Sequence, residues 1–483
     1  MTPTIDQLLV NKTDSLETVL KIIDASAQGV CFVVDENRKL VGILTDGDIR
    51  RAFMNRQTLS TTAGEAMNTD FTSRSIDTPR EELLQLLDHR IRHIPLLDKA
   101  GCPVDYACIH RYNRFPVSEP ELGGNELEYV TNCVKTNWIS SAGKYVRDFE
   151  KMVAEYCGVP YAAAVSNGTV ALHLALEALG IGEGDEVIVP DLTFAASINS
   201  VIYSGATPVI VDIDATTWNI CPKAMARAIT PKTKAIMPVH LYGLPAEMDE
   251  IRDLAKKHNL LIVEDAAEAI GSVYKNEKAG SMSDVATFSF YGNKTITTGE
   301  GGMVLFQDEK VYKKALVLRD HGMDKSKRYW HNFVGYNYRL TNLQAAIGVA
   351  QMERIEEIIA RKVEMGKLYN EGLKGISEFQ LPADFDHVTN TYWLYTIVLN
   401  DNCELDRDAL IGKLQQNGIE TRPVFYPLHE MPPYRQYVRD ESYPVANHVS
   451  KRGICLPSYL SLQPSEIEFI CGVLKKQVSL VKL

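Results

Sequence analysis

Lys294 lies in a loop rich in Gly and Thr, Gly292 to Gly302, directly after the apolar segment Ala286–Phe290. A lysine held in so restricted a loop can stay partly neutral and form a Schiff base with an aldehyde. Ser289 precedes it by five residues and could bond a phosphate. Asp265 closes the apolar segment Leu260–Asp265. A carboxylate buried there needs a cationic partner, which a protonated pyridine nitrogen would supply; capping of the next helix is the structural alternative. Gly168 follows Asn167 at the exit of Ala162–Ser166. It lets backbone approach closely, and it opens a helix whose N-terminus offers N–H groups to an anion. Phe194 stands just past Glu186–Pro190, as core or as a face for a planar ring. Singly, each residue has an ordinary structural use. Together they fit a phosphorylated pyridine aldehyde, pyridoxal phosphate (PLP), whose protonated ring is an electron sink.

The elements that must hold these residues are short apolar strands. Ala162–Ser166, Glu186–Pro190, Pro208–Ile213, Ala235–His240, Leu260–Asp265, Ala286–Phe290 and Gly302–Phe306 alternate with amphipathic segments such as Thr169–Leu179 and Met248–His258. That alternation predicts an α/β fold with a mostly parallel sheet covered on both faces. Ligands of such sheets collect at the carboxyl ends of strands, where all five residues fall.

The first 110 or so residues differ and repeat. Ser15–Asp24 aligns with Pro79–Asp88, each an amphipathic helix pattern followed by a short apolar strand ending in Asp35 or Asp98, a turn, and a second strand. The copies lie about 63 residues apart, and each alone would bury little. The repeat resembles a tandem cystathionine-β-synthase (CBS) pair, with the fuller signature in Leu40–Arg51. In such domains a T-x-x-D turn, here Thr45 and Asp48, holds the ribose of an adenine nucleotide. The second copy departs from this, with Cys108 and Arg111 at the aligned positions. Sensing of a regulatory nucleotide and plain scaffolding both remain open.

Seven blocks, in order, resemble the DegT/StrS-type sugar aminotransferases of the type I PLP fold: Trp138–Glu150, Ser166–Leu176, Pro190–Ser197, Glu264–Ala269, Phe288–Gly302, Gly335–Gly348 and Thr421–His429. The resemblance covers about three quarters of the chain. It implies a type I PLP-dependent aminotransferase fold, with a mostly parallel seven-stranded sheet plus a small C-terminal α/β domain, preceded by the CBS pair. The domains would be 1–115 (copies at about 1–60 and 61–115), 116–365 and 366–483. Lys294 would carry the cofactor and shuttle the proton. Asp265 would pair with the ring nitrogen, and Phe194 would stack on the ring. Gly168, Thr169 and Ser289 would hold the phosphate, and Glu268 would lie near the phenolic oxygen. Asn337 would reach the phosphate of a neighbouring subunit's cofactor, which requires a homodimer or larger homo-oligomer. The blocks Phe290–Met303 and Arg328–Asn342 point within the family to a GDP-linked 4-keto-6-deoxy sugar as acceptor, with L-glutamate as amino donor. UDP- and dTDP-linked keto sugars are the alternatives. Arg328, Arg339 and Arg422 could bind carboxylate or diphosphate, because a guanidinium fork suits both; His321 and His429 could touch the sugar. Sugar dehydratases on the same fold replace the lysine by His, so Lys294 favours transamination. A regulator with a dead catalytic domain is the rival from another class, and the intact Asp265, Ser289 and Lys294 set argues against it.

The bulk properties agree. The net charge is −11, and a nucleic-acid binder needs a basic face. The 9 Cys include no CxxC pair, which predicts reduced thiols and neither a disulfide framework nor a metal cluster. Met1–Ser15 lacks the apolar run of a signal peptide, and no uncharged run is long enough to span a membrane. A cytoplasmic enzyme is the expectation.

Overall fold

Duplication is visible in the hydrogen bonding of the N-terminal part. The computed structural model describes residues 3–79, 82–83, 86–87, 91–108, 115–324, 326–439 and 442–479. These fall into two units, Met1–Arg114 with Gln415–Gly418, and Phe115–Leu414 with Ile419–Leu483. In the first unit, β1 (Leu9–Asn11), β2 (Val30–Val34) and β3 (Leu40–Thr45) form one sheet, and β4 (Arg74–Ser75), β5 (His93–Leu97) and β6 (Pro103–Cys108) form another. In both, the first pair is parallel and the second antiparallel. The register slips between Val33 and Val34 in one and between Leu96 and Leu97 in the other. Asp35 Oδ1 accepts from Asn37 and Lys39 N, and Asp98 Oδ1 from Ala100 and Cys102 N. The turn needs one left-handed residue. The second copy uses Gly101 (φ 85°); the first forces Arg38 there (φ 61°), a conformation that costs a side-chain-bearing residue more. Ile5, Leu8, Val30 and Phe32 of one copy share a buried cluster with Tyr106 and Cys108 of the other. Each copy thus completes part of its core with the other, as expected for units too small to bury much alone. Helix Leu16–Ser26 forms as the sequence predicts, with Ser15 as N-cap; its counterpart over Pro79–Asp88 lies partly outside the described residues, as does Arg111.

In the second unit the seven expected strands form one sheet: β7 (Tyr161–Val165), β8 (Glu186–Pro190), β9 (Thr207–Val211), β10 (Thr233–Ile236), β11 (Leu261–Asp265), β14 (Val285–Ser289) and β15 (Gly302–Phe306), with a short hairpin of β12 (Val273–Tyr274) and β13 (Glu277–Lys278) outside it. The order is β7-β15-β14-β11-β10-β8-β9. Only β15 runs antiparallel to its neighbours. Successive residues enter opposite cores: Ile188, Ile236, Ile262 and Met303 one cluster, Val187, Val189, Val263 and Val304 the other. A sheet buried on both faces reads as continuous apolar runs, as these do. Downstream, β16 (Phe379–Gln380), β18 (Tyr395–Leu399), β20 (Gly453–Leu456) and β19 (Arg422–Pro423) form an antiparallel sheet, while β17 (Val388–Thr389) pairs with β12. Helices Ile355–Leu373 and Pro464–Ser479 supply much of this sheet's core. The first of these helices runs across position 366, where the sequence suggests a division. Among the described residues no helix is long and apolar enough to cross a membrane.

Candidate active site

The carboxyl ends of β7, β8, β11 and β14 converge on one cavity of about 620 Å³. Asp265 is the last residue of β11 and Ser289 the last of β14. Helix Gly168–Leu179 starts there, with Asn167 Oδ1 accepting from Val170 N at 3.0 Å. Gly168, Thr169, Phe194, Asp265, Glu268, Ser289, Lys294 and Arg422 all line the cavity.

The electrostatics are those of a buried cluster. Asp265 is buried; its Oδ2 accepts from Ser197 Oγ at 2.7 Å and its Oδ1 from Ala267 N at 3.2 Å. Burial pushes its carboxyl up, against the pull of those bonds and of Lys294. Glu268 is also raised by burial, opposed first by Lys294. Its Oε1 is 3.4 Å from Lys294 Nζ, and its Oε2 accepts from Tyr242 N at 2.8 Å. Lys294 Nζ also lies 3.7 Å from the centre of the Trp393 ring.

These residues fit PLP on local grounds. Asp265 is a wholly buried carboxylate that needs a cation to stay ionised, and a pyridinium nitrogen is one. Phe194 is 61% exposed in the isolated chain although it lines the cavity, so its ring has a face to offer. A Cβ on Gly168 would lie 2.8 Å from Ser289 Cβ. The helix N-terminus and Ser289 therefore share a notch kept open by the missing side chain, at a place where a phosphate meets helix N–H groups.

The other expected residues lie outside the cavity lining of this chain. Asn337 is exposed and bridges to Asp320 in backbone pairing. Arg339 is ion-paired with Asp320. Arg328 is exposed and sits over the Tyr329 ring. His321 is exposed with φ 60°, and its carbonyl accepts from His331 Nδ1. His429 is bound to Asp191, 2.6 Å from Nδ1 to Oδ2, and stacks on Tyr443. Asp191 is fully buried, which pushes its carboxyl up to about 6 against the pull of His429. Thr45 and Asp48 form a capping box at the start of helix Asp46–Met54, and Arg51 takes the remaining Asp48 oxygen at 2.6 Å.

Sequence reasoning passed over Trp393, Tyr242 and Asp191. Asp191 lies in the block Pro190–Ser197 and could have been found as a second carboxylate at a strand end. Tyr242 adopts φ 54°, which nothing in its neighbourhood signals. Trp393 comes from a distant stretch without a motif.

A lysine, a buried carboxylate and an open helix N-terminus at the strand ends of this sheet define an aminotransferase of the type I PLP fold. The chain belongs to the DegT/DnrJ/EryC1/StrS aminotransferase family, which it matches over residues 120–475; residues 1–55 match the CBS domain. It is 48% identical over 365 residues to the GDP-perosamine synthase of Caulobacter vibrioides, covering 75% of this chain and 97% of that protein. It is also 48% identical to the GDP-perosamine synthase of Escherichia coli O157:H7, over 74% of this chain and 96% of that one. Among solved structures, the aminotransferase from Psychrobacter cryohalolentis superposes with a TM-score of 0.72 at 31% identity, covering 76% of this chain and 99% of its own. S. venezuelae DesV in complex with a ketimine intermediate gives 0.70 at 33% identity, over 73% and 94%. The protein is a PLP-dependent sugar aminotransferase.

Proposed function

We propose that this enzyme moves the amino group of L-glutamate onto GDP-4-keto-6-deoxy-mannose, giving GDP-perosamine and 2-oxoglutarate. The observation that carries this reading is the cavity that joins Lys294, Asp265, Glu268 and Phe194 in a chain almost half identical to proteins named GDP-perosamine synthase. Bound PLP supplies the electron sink for breaking the Cα–H bond of the donor. Lys294 Nζ is the group that carries the cofactor and, once free, holds the proton taken from that carbon. Asp265 keeps the ring nitrogen charged. Phe194 supports the ring's face, and Gly168, Thr169 and Ser289 hold the phosphate. Glu268 sets the charge beside Lys294. Arg422, on the cavity wall, meets the donor carboxylate or the diphosphate. Asn337 serves a neighbouring subunit's phosphate in a homodimer, which accounts for its exposure here. The first copy of the N-terminal repeat binds a purine nucleotide at Thr45 and Asp48 and modulates the enzyme; the matched CBS domain supports this, and calorimetry on the full chain showing no adenine or guanine nucleotide binding would contradict it.

Purified protein with PLP, glutamate and GDP-4-keto-6-deoxy-mannose is expected to give 2-oxoglutarate and an amino sugar nucleotide by mass. Product only from a UDP- or dTDP-linked keto sugar would overturn the substrate. No product from any keto sugar would overturn the function.

A further inference from the structure

One side chain in contact with Lys294 has no part in the roles above. Trp393 stands 99 residues further along the chain and is 5% exposed. Its ring centre is 3.7 Å from Lys294 Nζ. Its Nε1–H donates to Asn293 O at 2.7 Å, the carbonyl of the peptide that leads into Lys294. Its own carbonyl accepts from Lys362 Nζ at 3.1 Å, and the same Nζ donates to Ser458 O at 2.5 Å. Lys362 is almost fully buried. The residue is thus held at its backbone by Lys362 and at its ring by Asn293 O, and swinging the indole away would leave the indole N–H and that carbonyl unpaired. The Glu268 carboxylate, itself held by Tyr242 N, also lies beside the Lys294 amine.

An ammonium over an aromatic face is attracted by the ring's quadrupole, and Trp is the strongest of the three rings. A neutral amine gains far less. The indole therefore gives the Lys294 ammonium a defined place to rest.

Building on the reading that Lys294 is the proton-carrying lysine, we propose that Trp393 is a positioning residue for it: the indole face and the Nε1–H bond to Asn293 hold the free Lys294 ammonium in one place beside Glu268. When the donor Cα–H bond breaks, its proton would form an N–H bond on the neutral Nζ, its electron pair would pass to the electron sink that bound PLP supplies, and the resulting ammonium would rest over the indole. The same ammonium later returns its proton.

Two measurements test this. The first needs no cofactor. Indole emission of the full-length chain, taken as wild type minus Trp393→Phe, is expected to change on Lys294→Met, because the ammonium over the ring is lost. The second uses the loaded enzyme and follows the glutamate half-reaction by absorbance. Trp393→Leu removes the π face, so the rate at saturating glutamate is expected to fall about three- to tenfold with the half-saturating concentration unchanged. Trp393→Phe keeps a weaker face and is expected to lose less. If the Leu variant does not load cofactor, the Phe variant carries this arm. Indole emission unaffected by Lys294→Met, or an unchanged saturating rate in the variants that load, overturns the proposal. Lys294→Ala that still turns over glutamate would instead overturn the underlying reading of Lys294.

Discussion

Lys294, Lys362, Asp265, Glu268 and Asp191 are ionisable groups withdrawn from water, and each is held by a different device. Asp265 relies on Ser197 and one backbone N–H, which leaves room for an added cation. Asp265→Asn is expected to cut kcat/KM by about a hundredfold or more, as for loss of a preorganised charge at a reacting centre; steady-state kinetics with saturating PLP check it. Lys362 Nζ donates to two backbone carbonyls, and burial lowers its amine from 10.5 to about 7. Between about pH 7 and 10.5 the unfolded chain therefore binds more protons at this position than the folded one. Stability from this group rises with pH through that window, and below it the folded protein carries the cost of a buried ammonium. The melting temperature of wild type relative to Lys362→Met is expected to improve from about pH 7 to about pH 9; a constant difference would contradict the assignment. Lys294, Asp265, Phe194, Ser289 and Gly168 were legible because each directly follows or closes an apolar strand, where an α/β sheet presents its ligand. Trp393 was not, because its position against Lys294 depends on packing between distant segments. For His429, residue type alone suggested a sugar contact, and its tie to Asp191 appears only once β8 and the Leu428–Glu430 turn are brought together.

At the scale of elements, apolar runs bounded by turns identified all seven strands of the large sheet, because strands buried on both faces carry few polar interruptions. The smaller strands β12, β13, β16, β17 and β19 have two residues each, too few for any periodicity to show. Close approach of elements sets its own demands. A Cβ on Gly302, at the start of β15, would lie 2.5 Å from Asn167 O and 2.6 Å from Asn167 C. That backbone leads into the helix bordering the cavity, and it cannot yield as a flexible side chain could. Gly302→Ala is expected to destabilise the protein by about 1–3 kcal/mol, the range for overpacking, and to weaken PLP retention; thermal melts with and without PLP read both. The T-x-x-D turn shows the opposite lesson. Its spacing suits a nucleotide, yet Thr45 and Asp48 also satisfy each other as a helix cap, a use that is always available to such a pair.

At the scale of the molecule, the N-terminal unit is an addition to a complete aminotransferase. The Caulobacter and Escherichia relatives align over 97% and 96% of their own lengths, and the alignment takes up only about three quarters of this chain. The duplication was legible because both copies keep the strand, Asp-turn and strand pattern; the shared bulge and the cluster joining the copies arise only from strand pairing and tertiary packing. A chain of residues 115–483 is expected to retain glutamate-dependent product formation and to lose any response to purine nucleotides; loss of the fold by circular dichroism would contradict that autonomy. The central claim is that Lys294 bears the cofactor, and borohydride reduction of the PLP-loaded full-length enzyme, followed by proteolysis and peptide mass measurement, tests it most directly. The expected result is a reduced pyridoxyl adduct on the peptide containing Lys294, whereas an adduct on Lys362, or none despite cofactor absorbance, would contradict the account.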